Sequence, residues 1–183
     1  MGMVASAYYT ADMVRSLPED GNRYEVVHGE LLVTPAPRKI HQRIVRRLLT
    51  ELSIYLEESP VGEPFASPAD ISWDDDTLVQ PDIFVLDLEE AKTPDWKDAK
   101  TLLLVIEVLS PSTARQDRGT KRRLYQEQRI PAYWIVDTER EVIEVWTPDA
   151  NGPKIVKDKV AWYPAGAEKA FEVDLKILFK PAG

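Results

Sequence analysis

Three residues stand where chemistry is most plausible in this chain: Asp82, Glu107 and Lys121. Each carboxylate interrupts an apolar run. Asp82 follows Pro81 and precedes IFVL, and Glu107 lies inside TLLLVIEVL, a stretch apolar on both sides, as in a strand buried on both faces. A carboxylate placed there costs several kcal/mol unless a cation or hydrogen-bond donors meet it. Sequential strands usually lie side by side. The two carboxylates are therefore expected at matching heights in neighbouring strands, where both could ligate one Mg²⁺ at oxygen–metal distances of about 2.0–2.1 Å. Lys121, two turns into the helix after Glu107, could reach back as a point charge on a phosphate or an attacking water. The same spacing admits a purely structural arrangement, with Glu107 paired to Lys121 or an arginine and Asp82 capping a turn. Asp117 is i,i+4 from Lys121, the spacing of an ordinary helix salt bridge.

Composition narrows the chemistry further. The chain has no cysteine, which excludes disulfides, thiolate zinc sites and a cysteine nucleophile. Two histidines, His28 and His41, are too few for a multi-histidine centre, so oxygen donors must dominate any metal site. The net charge of −8 argues against a nonspecific nucleic-acid coat, yet two segments are basic. One carries Arg38, Lys39, Arg43, Arg46 and Arg47; the other carries Arg115, Arg118, Lys121, Arg122, Arg123 and Arg129. They are either solvated helix faces or the borders of one anionic-ligand site. The triple acid Asp74-Asp75-Asp76 lacks the spacing of a calcium loop and is expected to be a solvated turn. The longest apolar run, LLLVI, is too short to span a membrane. With no signal-peptide pattern, a cytoplasmic location is expected.

The elements that must position these residues can be placed in order. Thr10 caps a short helix ending before Pro18. The run RYEVVHGELLVT reads as a hairpin turning at His28-Gly29, with Glu25 and Glu30 in its strands and Glu30 a candidate to face the site. Apolar spacing of three and four predicts a long helix over 38–58, basic at its start and acidic at its end, the reverse of what the helix dipole favours. Strands are expected over 64–73, 77–87, 102–109, 133–137, 141–147 and 154–160, with a second helix over 113–129. The whole is a mixed-sheet α/β protein in one domain of 183 residues.

At these residues the chain resembles the Uma2 family (also called DUF820), restriction-endonuclease-like proteins of the PD-(D/E)XK nuclease superfamily. The matching segments are YEVVHGELLVTPAPRKIHQRIVRRL, DDDTLVQPDIFVL, LLLVIEVLSPSTARQDRGTKRRLYQEQRIPAYWIVD and VIEVW, of which EVLSPSTxxxDxxxK is the most specific. The resemblance implies an αβββαβ nuclease core over about 38–137, with an added N-terminal hairpin and C-terminal antiparallel strands. It matches Asp82 to the acidic Pro-Asp and Glu107 to the glutamate of Glu-x-Lys. Leu109 stands where that lysine should be, and Lys121, from the following helix, replaces it. It further implies a Mg²⁺ or Mn²⁺ held by Asp82, Glu107 and the Val108 carbonyl, with His41, Gln42, Glu30 and Asp117 nearby and Arg38, Lys39, Arg115 and Arg118 on flanking phosphates. The implied activity is endonucleolytic hydrolysis of DNA by a homodimer. A catalytically silent scaffold and a small-molecule phosphohydrolase are the alternatives.

Overall fold

The structure is a computed structural model and describes residues 7–182. Its centre is a six-stranded sheet in the order β10-β9-β8-β7-β6-β3, made of β3 (Gly62–Ala66), β6 (Ile83–Asp87), β7 (Leu102–Val108), β8 (Tyr133–Asp137), β9 (Val142–Trp146) and β10 (Lys154–Val156). β7 and β8 are parallel and the other neighbours antiparallel. A parallel pair needs a crossover, and the helical segment between β7 and β8 supplies it. With α2 (Lys39–Glu58) in front, the succession helix, three strands, helix, strand is the expected αβββαβ core.

The second sheet was not anticipated. β1 (Arg23–Val27), β2 (Glu30–Thr34), β4 (Ile71–Asp74) and β5 (Thr77–Val79) form it in the order β2-β1-β5-β4. The stretches expected as single strands over 64–73 and 77–87 each divide between the two sheets. The first breaks at Ser67-Pro68, the second at Gln80–Asp82, where Pro81 has no N–H to continue a ladder. The run expected over 154–160 splits similarly, its end becoming β11 (Lys159–Trp162), which pairs with β12 (Phe171–Asp174). The hairpin of β1 and β2 turns as expected, with His28 at φ 48° and Gly29 at φ 79°, the left-handed pair that a two-residue loop requires.

Each face of the central sheet is covered. α2 lays Ile44, Leu48, Leu52 and Leu56 on one face against Val85, Leu104 and Ile106. At about 1.5–3 kcal/mol per buried aliphatic side chain, this stripe holds the helix despite its unfavourable end charges. Arg47, more than two turns into this helix, donates to the carbonyls of Leu178 and Lys180, capping the final helix. On the other face, Phe84, Val105 and Ile135 meet the second sheet through Val27, Leu32 and Ile71. Leu124 and Tyr125 of the crossover helix join them. No described helix is long and apolar enough to cross a membrane.

Candidate active site

Asp82 and Glu107 meet at the junction of the two sheets. β6 pairs with β7 through Ile83↔Ile106 and Phe84↔Val105, so the same register carried one residue further sets Asp82 opposite Glu107. The Asp82 amide lies 3.3 Å from Glu107 Oε2. Asp82 is placed by the break at Pro81, which delivers the chain from β5 into the start of β6. Its Oδ2 accepts from the Val108 N–H at 2.8 Å. Leu109 N–H instead bonds Val136 in β8. The backbone of Val108 thus faces Asp82, and in extended chain its carbonyl shares that edge.

Both carboxylates are buried, Asp82 at 3% and Glu107 at 1% exposure. Glu25 and Asp117 are buried beside them. Two permanent cations answer these four acids. Arg23 reaches Asp82 Oδ1 at 2.9 Å. Lys121 Nζ lies 2.5 Å from Glu107, 2.9 Å from Glu25 and 4.0 Å from Asp117. His41 Nε2 is 2.9 Å from Asp82 Oδ2, and the Tyr125 hydroxyl donates to Glu107 Oε1 at 2.9 Å.

The electrostatics divide the two acids. Burial alone would raise Asp82, but the His41 hydrogen bond, the charges of Arg23 and His41 and the Val108 N–H outweigh it and hold the carboxyl well below its ordinary range. Glu107 is pushed up to about 8 by burial, which Lys121 offsets only in part while Asp82, Asp117 and Glu25 add to it. Asp117 rises to about 6 for the same leading reason. Lys121 moves up, its burial overcome by Glu107, Glu25 and Asp117. The cluster holds more negative charge than its cations neutralise, and a proton on Glu107 is one way to relieve that excess.

Several expected site residues lie elsewhere. Glu30 is exposed at the turn end of the hairpin, opposite Val27; the acid that faces the cluster is Glu25, two residues further from the turn. Gln42 is exposed on α2. Arg118 points away from the cluster and binds Asp137 and Glu144, each at 2.7 Å. Lys39 and Arg115 are exposed and lie outside the cavity at the site, so the two basic helices do not jointly border it. Leu109 is 7% exposed and belongs to the apolar core.

Two contributors were not singled out from sequence, Arg23 and Glu25. They share one face of β1, and a pair of opposite charges at i,i+2 beside a Val-Val run was the available signal. The helix carrying Lys121 also departs from regularity. α4 (Ala114–Gln116) passes through a π-helical turn, Asp117–Lys121, into α5 (Arg122–Glu127). Asp117 and Lys121 bound that widened turn and both face inward.

A cavity of about 850 Å³ opens over the cluster. Asp82, Arg23, His41 and Val108 line it, whereas Glu25, Glu107, Asp117 and Lys121 stand behind that wall. Outside the lining of this cavity, His28 of the β1–β2 turn and Asp74 and Asp76 at the β4–β5 turn bring ligand atoms within 4.8 Å of one another, and all are partly or fully exposed.

Comparison with known proteins fits this architecture. The sequence model of the Uma2 family, described as "Putative restriction endonuclease", matches residues 11–166. The chain is also similar to a solved structure from Anabaena variabilis ATCC 29413, described as "a putative nuclease belonging to DUF820". The two share 19% identity over 93% of this chain and 97% of that one, with a TM-score of 0.76. At that identity the likeness speaks to fold alone. No curated protein matches the chain.

Proposed function

The chain belongs to the Uma2 family, and from that we propose that it is a metal-dependent nuclease hydrolysing phosphodiester bonds in DNA. The observation that carries this reading is the register that sets Asp82 opposite Glu107 inside a cluster of four buried carboxylates and two permanent cations. Such a cluster suits a divalent cation both in charge and in donor type, since hard cations of the Mg²⁺ class take carboxylate and carbonyl oxygens. Asp82, Glu107 and the Val108 carbonyl would hold it. A bound Mg²⁺ or Mn²⁺ lowers the pKa of a water and polarises the scissile phosphate.

The chain's own residues supply the rest. Asp82 stays ionised at neutral pH, so it is a ready ligand. His41 and the Val108 N–H fix the rotation of its carboxylate. Lys121 lies behind Glu107, favouring its ionised form and fixing its position with Tyr125. Arg15, Arg23 and Arg38 line the cavity and are the cations that could meet a phosphate there. Metal-dependent DNase assays on Asp82→Ala, Glu107→Ala and Lys121→Ala test the reading. All three should lose activity; metal-independent activity equal to the parent in each rules it out.

One arrangement favours a second reading. Lys121 and Arg23 already pair directly with Glu107 and Asp82, as in a cluster that only holds the sheets together. In that case the protein is a nuclease-fold scaffold, and Mn²⁺ titration of the parent protein would show no binding that depends on Asp82.

A further inference from the structure

The cavity over Asp82 bears on which form of DNA reaches the site. Its walls come from five separated segments: the end of the first helix with the start of β1, the link from β2 into α2, the Ser67-Pro68 turn, the passage from β5 into β6, and the end of β7 with the loop after it. Five prolines line it, Pro18, Pro35, Pro37, Pro68 and Pro111. Each has φ fixed by its ring, so these walls resist spreading. Asp82 is 3% exposed at the base of this enclosure and Glu107 1% exposed behind it. A volume of about 850 Å³ lies in the range of about 300–1,000 Å³ typical of pockets for small molecules. That holds a nucleotide or a short stretch of single strand.

The charges agree. Grip on a duplex grows with the number of phosphates that Lys and Arg neutralise. Three arginines line the cavity, Arg15, Arg23 and Arg38. Arg15 is paired with Asp12 and Arg23 with Asp82, and Arg118, a cation that could have extended the contact, is tied to Asp137 and Glu144. The whole chain carries −8. Tyr24 also lines the cavity, with Ser110, Ser112 and Thr113, whose hydroxyls bond one another; an aromatic residue beside hydroxyls suits an unpaired nucleotide.

We propose that this cavity admits unpaired DNA, a single strand, a flap or a frayed end, and excludes continuous duplex. The proposal rests on the nuclease reading above, and a binding measurement separates the two. The full chain is titrated in Ca²⁺ against a fluorescein-labelled single strand of about 15 nucleotides and its blunt duplex, read by anisotropy. The single strand should bind roughly tenfold or more tightly than the duplex. Equal or tighter duplex binding, or no single-strand binding, overturns the proposal. Ala36→Trp, on the exposed rim, should weaken single-strand binding roughly tenfold at unchanged thermal stability; unchanged affinity also overturns it. In Mg²⁺ the single strand and a flap should be cut and the blunt duplex spared. Single-strand binding without any cleavage supports the cavity assignment and removes the nuclease reading instead.

Discussion

Lys121 Nζ sits 2.5 Å from Glu107 Oε1, and each residue is only 1% exposed. The lysine comes from the crossover helix and the glutamate from the strand before it, so this contact fastens the helix to the sheet at the site. Removing Lys121 strips the buried acids Glu107, Glu25 and Asp117 of their shared cation, and losing one side of a buried charge cluster costs about 3–5 kcal/mol. Lys121→Met is therefore expected to lower the unfolding free energy by about that amount. Adding Glu107→Gln should recover part of the loss. A urea-unfolding double-mutant cycle measures the coupling, and additive losses would show that the two residues do not act as a pair.

Stability should depend on pH in a direction that a bound metal reverses. Glu107 titrates near 8 in the folded protein against an ordinary value of 4.5, and Asp117 near 6 against 3.8. Over those intervals the folded state holds protons that the unfolded chain has released, so stability falls as pH rises from about 4 to about 8 and then levels. Asp82 acts oppositely and only in acid, because its depressed value makes stability fall as pH drops below the usual aspartate range. A divalent ion would replace the proton on Glu107. Mg²⁺ or Mn²⁺ should then raise the melting temperature more at pH 8 than at pH 6, read by thermal scans with and without metal. An equal effect at both values would argue that Glu107 is not a ligand.

Arg118 and Arg38 should separate structure from binding. Arg118 donates to Asp137 and Glu144, which are 6% and 4% exposed, so Arg118→Ala leaves two nearly buried carboxylates short of donors. Charged hydrogen bonds of this kind contribute about 1.5–3 kcal/mol, and that loss is expected in unfolding, with DNA affinity unchanged. Arg38 is exposed and lines the cavity. Arg38→Ala should weaken DNA binding and flatten its salt dependence with little change in stability. Anisotropy titrations at two salt concentrations, beside urea melts, decide between these outcomes.

These contrasts mark what the sequence makes legible. Asp82 and Glu107 stand out because a carboxylate in an apolar strand is anomalous by itself, and the adjacency of consecutive strands is enough to bring them together. α2 is legible because its apolar stripe recurs over its full length. The division of 64–73 and 77–87 between two sheets is not, since which sheet a strand joins depends on partners distant in sequence. Glu25 looks like the polar residue of an ordinary half-exposed strand until the second sheet, which carries it, packs onto the central one. Arg118 lies in a basic run, and its true partners are 19 and 26 residues further on.

His41 should act on the site through Asp82. Its Nε2 lies 2.9 Å from Asp82 Oδ2, the same oxygen that accepts from the Val108 N–H, so two donors fix the rotation of this carboxylate. His41 Nδ1 is buried and has no hydrogen-bond partner among the described residues, so the imidazole is held at this site through Nε2. His41→Ala removes one donor and lets the carboxylate turn, while Asp82 keeps its charge through Arg23. Losses from removing such supporting partners are about 10–100-fold in metal affinity or activity. Mn²⁺ affinity, measured by calorimetry, should therefore fall within that range in His41→Ala, fall further in Asp82→Asn, and recover partly in His41→Asn, whose amide can still donate. If His41→Ala binds Mn²⁺ as the parent does while Asp82→Asn does not, Val108 alone orients the carboxylate and His41 has no share in the site.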